Sequence, residues 1–147
     1  MMPAVPVDAL KTDVFFLSAR SRQQLVAEAR TAYPRECCGL IEGLREGKTI
    51  NVLRLHPARN LATRAGRFEI DPMEQFRLLR ALRDTEREIV GCYHSHPNGA
   101  PIPSVFDLEM AAEEDFVWLI AAVDSGSEVE IAAHLFAAGA FRPLRMG

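Results

Sequence analysis

Cysteine is scarce in this chain. Only Cys37, Cys38 and Cys92 occur, an odd number with two adjacent, which is not the pattern of a disulfide framework. Nor does any apolar run reach the length of a membrane span. Between Met1 and Leu10 there is no basic stretch followed by an apolar core, so no secretory signal is expected. These absences together point to a reducing compartment, the cytosol. A basic surplus is also missing: 17 Lys and Arg stand against 20 Asp and Glu, a formal net charge of −3. Nucleic-acid binders usually carry the opposite balance. Internal repeats, low-complexity tracts and linkers are absent too. What is present is ordinary for one globular domain. The 147 residues, 48% hydrophobic and 25% charged, suffice to bury a core without disulfides.

Patterning along the chain predicts an α/β (α+β) domain over residues 13–147, preceded by a loose leader over 1–12. Asp13–Leu17 is expected as a first strand. Ser21–Ala32 is expected as a helix, with Ser21 and Gln24 as a capping box and Pro34 as its stop. Cys38–Glu42 and Thr49–Leu55, with Gly47 between them, have the signature of a hairpin. His56–Arg67 is expected as a loop and Phe68–Ile70 as a brief strand. Pro72 then opens a helix that runs to about Thr85. Glu88–Tyr93 is the next strand, His94–Pro103 a loop, and Ser104–Glu114 a helix. Phe116–Val123 is almost wholly apolar, the mark of a strand buried on both faces. Glu128–Leu135 and Ala140–Leu144 close the domain, with Gly139 in their turn. The resulting architecture is a mixed, mostly antiparallel sheet flanked by helices.

The chemistry concentrates between His94 and Asp107. Two imidazoles two residues apart at a strand end share one face and form a natural divalent-metal clamp. Asp107 is a third ligand of suitable type. Two histidines and one carboxylate are a common catalytic zinc set, which leaves a fourth position open for water. Ser104 and Asp107 have a second reading. Ser-x-x-Asp ahead of an apolar-periodic stretch is also a helix-capping box. The two readings are compatible, because a carboxylate in a first helical turn can face a metal.

The spacing resembles the signature of the JAMM (MPN-plus) metalloproteases: His-Ser/Thr-His, seven residues, Ser, two residues, Asp. His94-Ser95-His96 followed by Ser104 and Asp107 fits it completely. The resemblance extends to Glu36 ahead of the Gly39 strand, to Asn60, to Arg67–Pro72 and to Glu88–Pro97, as in short bacterial members. It implies a cytidine-deaminase-like JAMM/MPN fold and zinc on His94, His96 and Asp107. It further implies Glu36 as acid–base residue and Ser104 as oxyanion donor. The substrate class it implies is a ubiquitin-like sulfur-carrier protein, from whose C-terminus an amino acid such as cysteine is released. A deconjugating isopeptidase and a non-catalytic binding module are the rival readings. Iron, cobalt or manganese can fill similar sites.

Other polar residues receive plainer readings. His56 and His134 are expected as ordinary polar residues, Cys38 and Cys92 as small core residues, and Cys37 in a packing role. No Cys-x-x-Cys is present to support deaminase-type zinc binding. Arg77, Arg80, Arg83 and Arg87 are expected along one helix flank, either solvated or as a docking surface for an acidic partner.

Overall fold

The computed structural model describes residues 12–64, 66–126 and 128–147. The expected leader lies outside them except for Thr12, which is buried. Eight strands form one sheet: β1 (Val14–Phe16), β2 (Cys38–Glu46), β3 (Thr49–Ala58), β4 (Glu88–Pro97), β5 (Phe116–Val123), β6 (Glu130–Ala137), β7 (Ala140–Pro143) and β8 (Arg145–Met146). The helices are α1 (Ala19–Ala32), α2 (Pro72–Ala81) and α3 (Val105–Met110). Across the sheet the strand order is β7-β6-β5-β4-β2-β3-β1-β8. The β2–β3, β2–β4, β5–β6 and β6–β7 pairs are antiparallel. The β4–β5, β1–β3 and β1–β8 pairs are parallel. This is the mixed sheet with few helices that the patterning predicts.

Each face of the sheet is buried under its own apolar cluster. Leu25 and Ala29 of α1 join Ile41, Tyr93 and Leu119 on one face. Leu78 of α2 joins Leu40, Cys92, Trp118 and Phe136 on the other. Trp118 and Leu119 are sequence neighbours in opposite clusters, as strand alternation requires. The apolar run of β5 therefore covers both layers, as expected.

Several boundaries differ from the sequence expectation. Ser18, not Ser21, caps α1, accepting the Ser21 N–H at 3.1 Å. Gln24 reaches across instead to Glu28 and the Leu55 carbonyl. The expected loop at His94–Pro103 begins only after Pro97. Ser95, His96 and Pro97 pair in parallel with Ala121, Ala122 and Val123, and Pro97 ends the strand, where its missing N–H costs little. The β2–β3 hairpin is longer at both strands. Phe68–Ile70 forms only an isolated bridge, Asn60 to Ile70. Both α2 and α3 stop short of their expected ends. Leu82 caps α2 and Asp84 turns left-handed (φ 64°), whereas Ala111 leaves α3 in an extended conformation. Strand β8 pairs with β1 and carries no signal of its own.

The parallel β4–β5 approach leaves no room at Gly91, where an added Cβ would lie 2.2 Å from the Val117 carbonyl oxygen. Gly91→Ala is expected to destabilise the protein by about 1–3 kcal/mol through overpacking. Gly126→Ala, whose Cβ would meet nothing within 4 Å, is expected to stay within about 0.5 kcal/mol. Urea unfolding of the two variants makes the comparison.

Candidate functional site

The site lies at the C-terminal end of β4, on the face that α2 covers. His94 and His96 project to that face two residues apart. His94 is fully buried, its ring stacked on Phe68 at 4.1 Å and meeting the edge of Trp118 at 5.8 Å. The connection after Pro97 then folds back over the strand end. The Asn98 N–H donates to the Val123 carbonyl at 2.7 Å, and the Pro101 carbonyl lies 2.8 Å from His134 Nε2. This brings Ser104 to the cap of α3 and Asp107 into its first turn.

Ser104 and Asp107 do form the capping box. Ser104 Oγ accepts the Asp107 N–H at 3.1 Å, and Asp107 Oδ2 accepts the Ser104 N–H at 2.8 Å. The same Asp107 carboxylate faces both imidazoles, with Oδ2 3.1 Å from His96 Nε2 and 3.2 Å from His94 Nε2. The two Nε2 atoms are 2.9 Å apart. Glu36 completes the group, with a ligand atom within 4.8 Å of those of His94 and His96. His94, His96, Asp107 and Glu36 therefore meet at one place, with Ser104 bonded to Asp107 at the helix cap.

Glu36 arrives by a different route. It precedes β2, and alternation sets its side chain on the face of Cys38 and Leu40. Its position is fixed by Ser95, the residue between the histidines. Ser95 points to the opposite face, where its Oγ accepts the Cys37 N–H at 2.9 Å and its own N–H donates to the Cys37 carbonyl at 3.2 Å. Asn60 adds a second hold, donating from Nδ2 to the carbonyls of Glu36 (3.2 Å) and Arg67 (3.3 Å). Its Oδ1 accepts the N–H groups of Ala62 and Glu69 at 2.9 and 3.0 Å.

Electrostatics separate the two carboxylates. Burial pushes Glu36 up to about 7, with Asp107 adding to the rise and His96 opposing it. Burial works to raise Asp107 too. There, hydrogen bonds from the two histidines, charge from His94 and the Ser104 N–H win and hold the carboxyl well below its usual range. Burial lowers His94, which favours the neutral ring that a metal needs. It also works against protonation of His96, but bonds to Asp107 and the Ala100 carbonyl turn that shift upward.

The donor set fits a divalent cation. The Ala100 carbonyl only accepts, so His96 Nδ1, 3.0 Å away, carries the ring proton. In the neutral ring Nε2 is then a bare lone pair. It faces the Asp107 carboxylate, another acceptor, while Glu36 Oε2 is buried with no hydrogen-bond partner among the described residues. A cation satisfies this convergence of acceptors, and two imidazoles with carboxylate are suited to zinc.

Sequence reasoning missed the supporting residues. Phe68, Trp118, Ser95 and His134 act through tertiary contacts that no local pattern announces. His134 is more than an ordinary polar residue, since it holds the connection that delivers Ser104. His56 sits 2.8 Å from the buried Glu42, which Arg87 also meets at 3.0 Å, away from the motif residues. Cys38 and Cys92 are core residues, as expected, and burial raises their thiols. Burial likewise pushes the Cys37 thiol up to about 11, and the backbone of Cys37 is what serves the site. The expected arginine flank is broken: α2 ends at Ala81, Arg77 pairs with Glu74 and Arg87 with Glu42. Among the described residues, no helix is long and apolar enough to cross a membrane.

Comparison with known proteins gives a consistent picture. The family of prokaryotic homologs of the JAB domain matches residues 18–135. The desampylase of Haloferax volcanii is 32% identical, with the match covering 87% of this chain and 91% of that protein. The CysO-cysteine peptidase of Mycobacterium tuberculosis is 29% identical over 79% of this chain and 78% of its own. A solution structure of a protein from Desulfitobacterium hafniense superposes with a TM-score of 0.80 at 26% identity, covering 90% of both chains.

Two outcomes follow from this geometry. Because the folded-state value of Glu36 lies above its ordinary 4.5, at about 7, its contribution to stability is present at low pH and lost as pH rises through that interval. With chelator present, Glu36→Gln should therefore be more stable than wild type at pH 8, by on the order of 1–3 kcal/mol. That advantage should vanish at pH 4, as read by thermal unfolding across pH. Ser95→Ala strands the Cys37 N–H and should cost about 1–3 kcal/mol in the same assay.

Proposed function

The chain belongs to the prokaryotic JAB-domain family and is a metallopeptidase of the JAMM type; on that premise we propose that it hydrolyses the amide at the C-terminus of a ubiquitin-like sulfur-carrier protein, releasing an amino acid such as cysteine. The observation that carries this reading is the convergence of His94 Nε2, His96 Nε2 and Asp107 Oδ2 within 3.2 Å, beside Glu36. In it, His94, His96 and Asp107 hold zinc. Zinc bound there supplies a water whose pKa is lowered to about 7 and polarises the scissile carbonyl.

The protein's own groups do the rest. Glu36, beside the two imidazoles, takes the proton of the attacking water and delivers one to the leaving amine. Ser104 Oγ uses a lone pair on the Asp107 N–H, 3.1 Å away, which keeps its own proton free to donate to the oxyanion. Capping α3 and serving the reaction are thus one arrangement. Ser104 is no nucleophile in this scheme, because both nearby imidazoles are committed to the metal. The CysO-cysteine peptidase match supports release of a single amino acid. The desampylase match favours a second reading, removal of a ubiquitin-like tag from lysine. Preferential cleavage of carrier–lysine isopeptides selects that one.

Zinc content and hydrolysis of a carrier–cysteine adduct are measured for wild type and three variants. Wild type is expected to hold zinc and cleave, and His96→Ala to lose the metal. Glu36→Gln should keep zinc and lose roughly 10²–10⁴ in rate, and Ser104→Ala about 10²–10³ in kcat. A zinc-loaded wild type that leaves the adduct intact overturns the substrate reading. A wild type that binds no metal overturns the whole scheme.

A further inference from the structure

Glu36 lines a narrow cleft of about 60 Å3 whose other walls include Arg35, Asn60, Arg64 and Arg67. Three arginines share this cleft with Glu36, in a chain of net charge −3. Among the described residues none of the three has a carboxylate partner, so their guanidinium groups line the cleft uncompensated. The wall is also built rather than loose. Asn60 ties its segment to the Glu36 and Arg67 carbonyls, and the Arg67 guanidinium lies 4.0 Å from the centre of the Phe106 ring, one residue before Asp107. Stacking in this way positions a guanidinium and leaves its N–H donors free.

We infer that this cleft is a carboxylate-binding subsite for the leaving group, selecting a single amino acid with a free α-carboxylate. The inference rests on the function proposed above and names what that site accepts. The leaving nitrogen must come within hydrogen-bond reach of Glu36 to receive its proton. Whatever is attached to that nitrogen therefore enters the space that Glu36 lines. In an α-amino acid the carboxylate is two bonds from the nitrogen, so it enters the same arginine-lined cleft. In a lysine isopeptide the same space would receive an uncharged methylene chain, which leaves the guanidinium groups unmatched. The reaction balances simply. Water adds its oxygen to the carrier's terminal carbonyl carbon and the C–N bond breaks. The carrier leaves as a carboxylate, and the amino acid leaves as an ammonium with its own carboxylate unchanged.

The experiment uses the zinc-loaded full chain and three substrates: carrier–cysteine as the free acid, the same adduct ending in cysteinamide, and a carrier–lysine isopeptide. Wild type is expected to prefer the acid over the amide, in kcat/KM, on the order of tenfold or more. That preference should collapse towards one in Arg64→Gln/Arg67→Gln and be partly restored in Arg64→Lys/Arg67→Lys. Circular dichroism and zinc content establish that both variants are folded and loaded. Equal cleavage of acid and amide by wild type overturns the subsite and leaves the carrier reading standing. So does a double variant that keeps the preference, or an isopeptide cleaved as fast as the acid. A wild type that cleaves none of the three overturns both.

Discussion

The N–H of Cys37 donates to the Ser95 hydroxyl, and the N–H of Ser95 donates back to the Cys37 carbonyl. This exchange joins the segment entering β2 to the end of β4, and the centre inherits its dimensions from it. Ser95 turns to the α1 face, so its neighbours His94 and His96 turn to the other. Glu36, one residue before Cys37, is carried to the same place. Strand geometry thus sets the spacing between the Glu36 carboxyl and the imidazoles. Their own side chains need not reach for each other. Groups held in this way by backbone and supporting side chains keep the close tolerances that proton transfer demands.

The arrangement has an electrostatic cost. The Nε2 atoms of two imidazoles and the oxygens of Asp107 converge beside Glu36, with the His94 ring packed against Phe68 and Trp118. Acceptors that face acceptors at such short range are unfavourable unless a proton or a cation lies among them. Glu36 responds by holding its proton up to about 7. Asp107 stays ionised because two histidines and a backbone N–H support it. The same acceptors couple metal binding to folding, since an ion that relieves them binds the folded chain far better than the unfolded one.

Much of the candidate centre was legible in the sequence because most of its residues are local. His94, His96, Ser104 and Asp107 fall within one short segment, and their spacing specifies a strand end, a turn and a helix cap. Strand β5 was legible because apolar residues fill both of its faces. Less legible was whatever depended on distant partners. The prolines and glycine after His94 read as loop, yet pairing with Ala121–Val123 carries β4 through to Pro97. Ser21 and Gln24 fit a capping pattern, but Ser18 has the extended backbone that a cap requires. His134 and Phe68 act on residues far along the chain, and β8 exists only because β1 offers an edge. Periodicity reports which face a residue occupies. It does not report what lies opposite.

Ser104 and Asp107 each serve twice in the proposed scheme, once in capping α3 and once in the chemistry. Active-site residues in many enzymes burden the fold, so replacing them makes an inactive but sturdier protein. At these two positions, unlike Glu36, that exchange is closed. Removing either side chain unravels a helix end as it removes a reacting group, so activity and robustness decline together. Thermal hardening of this protein must come from elsewhere in the chain, and selection for stability alone would still preserve these two positions.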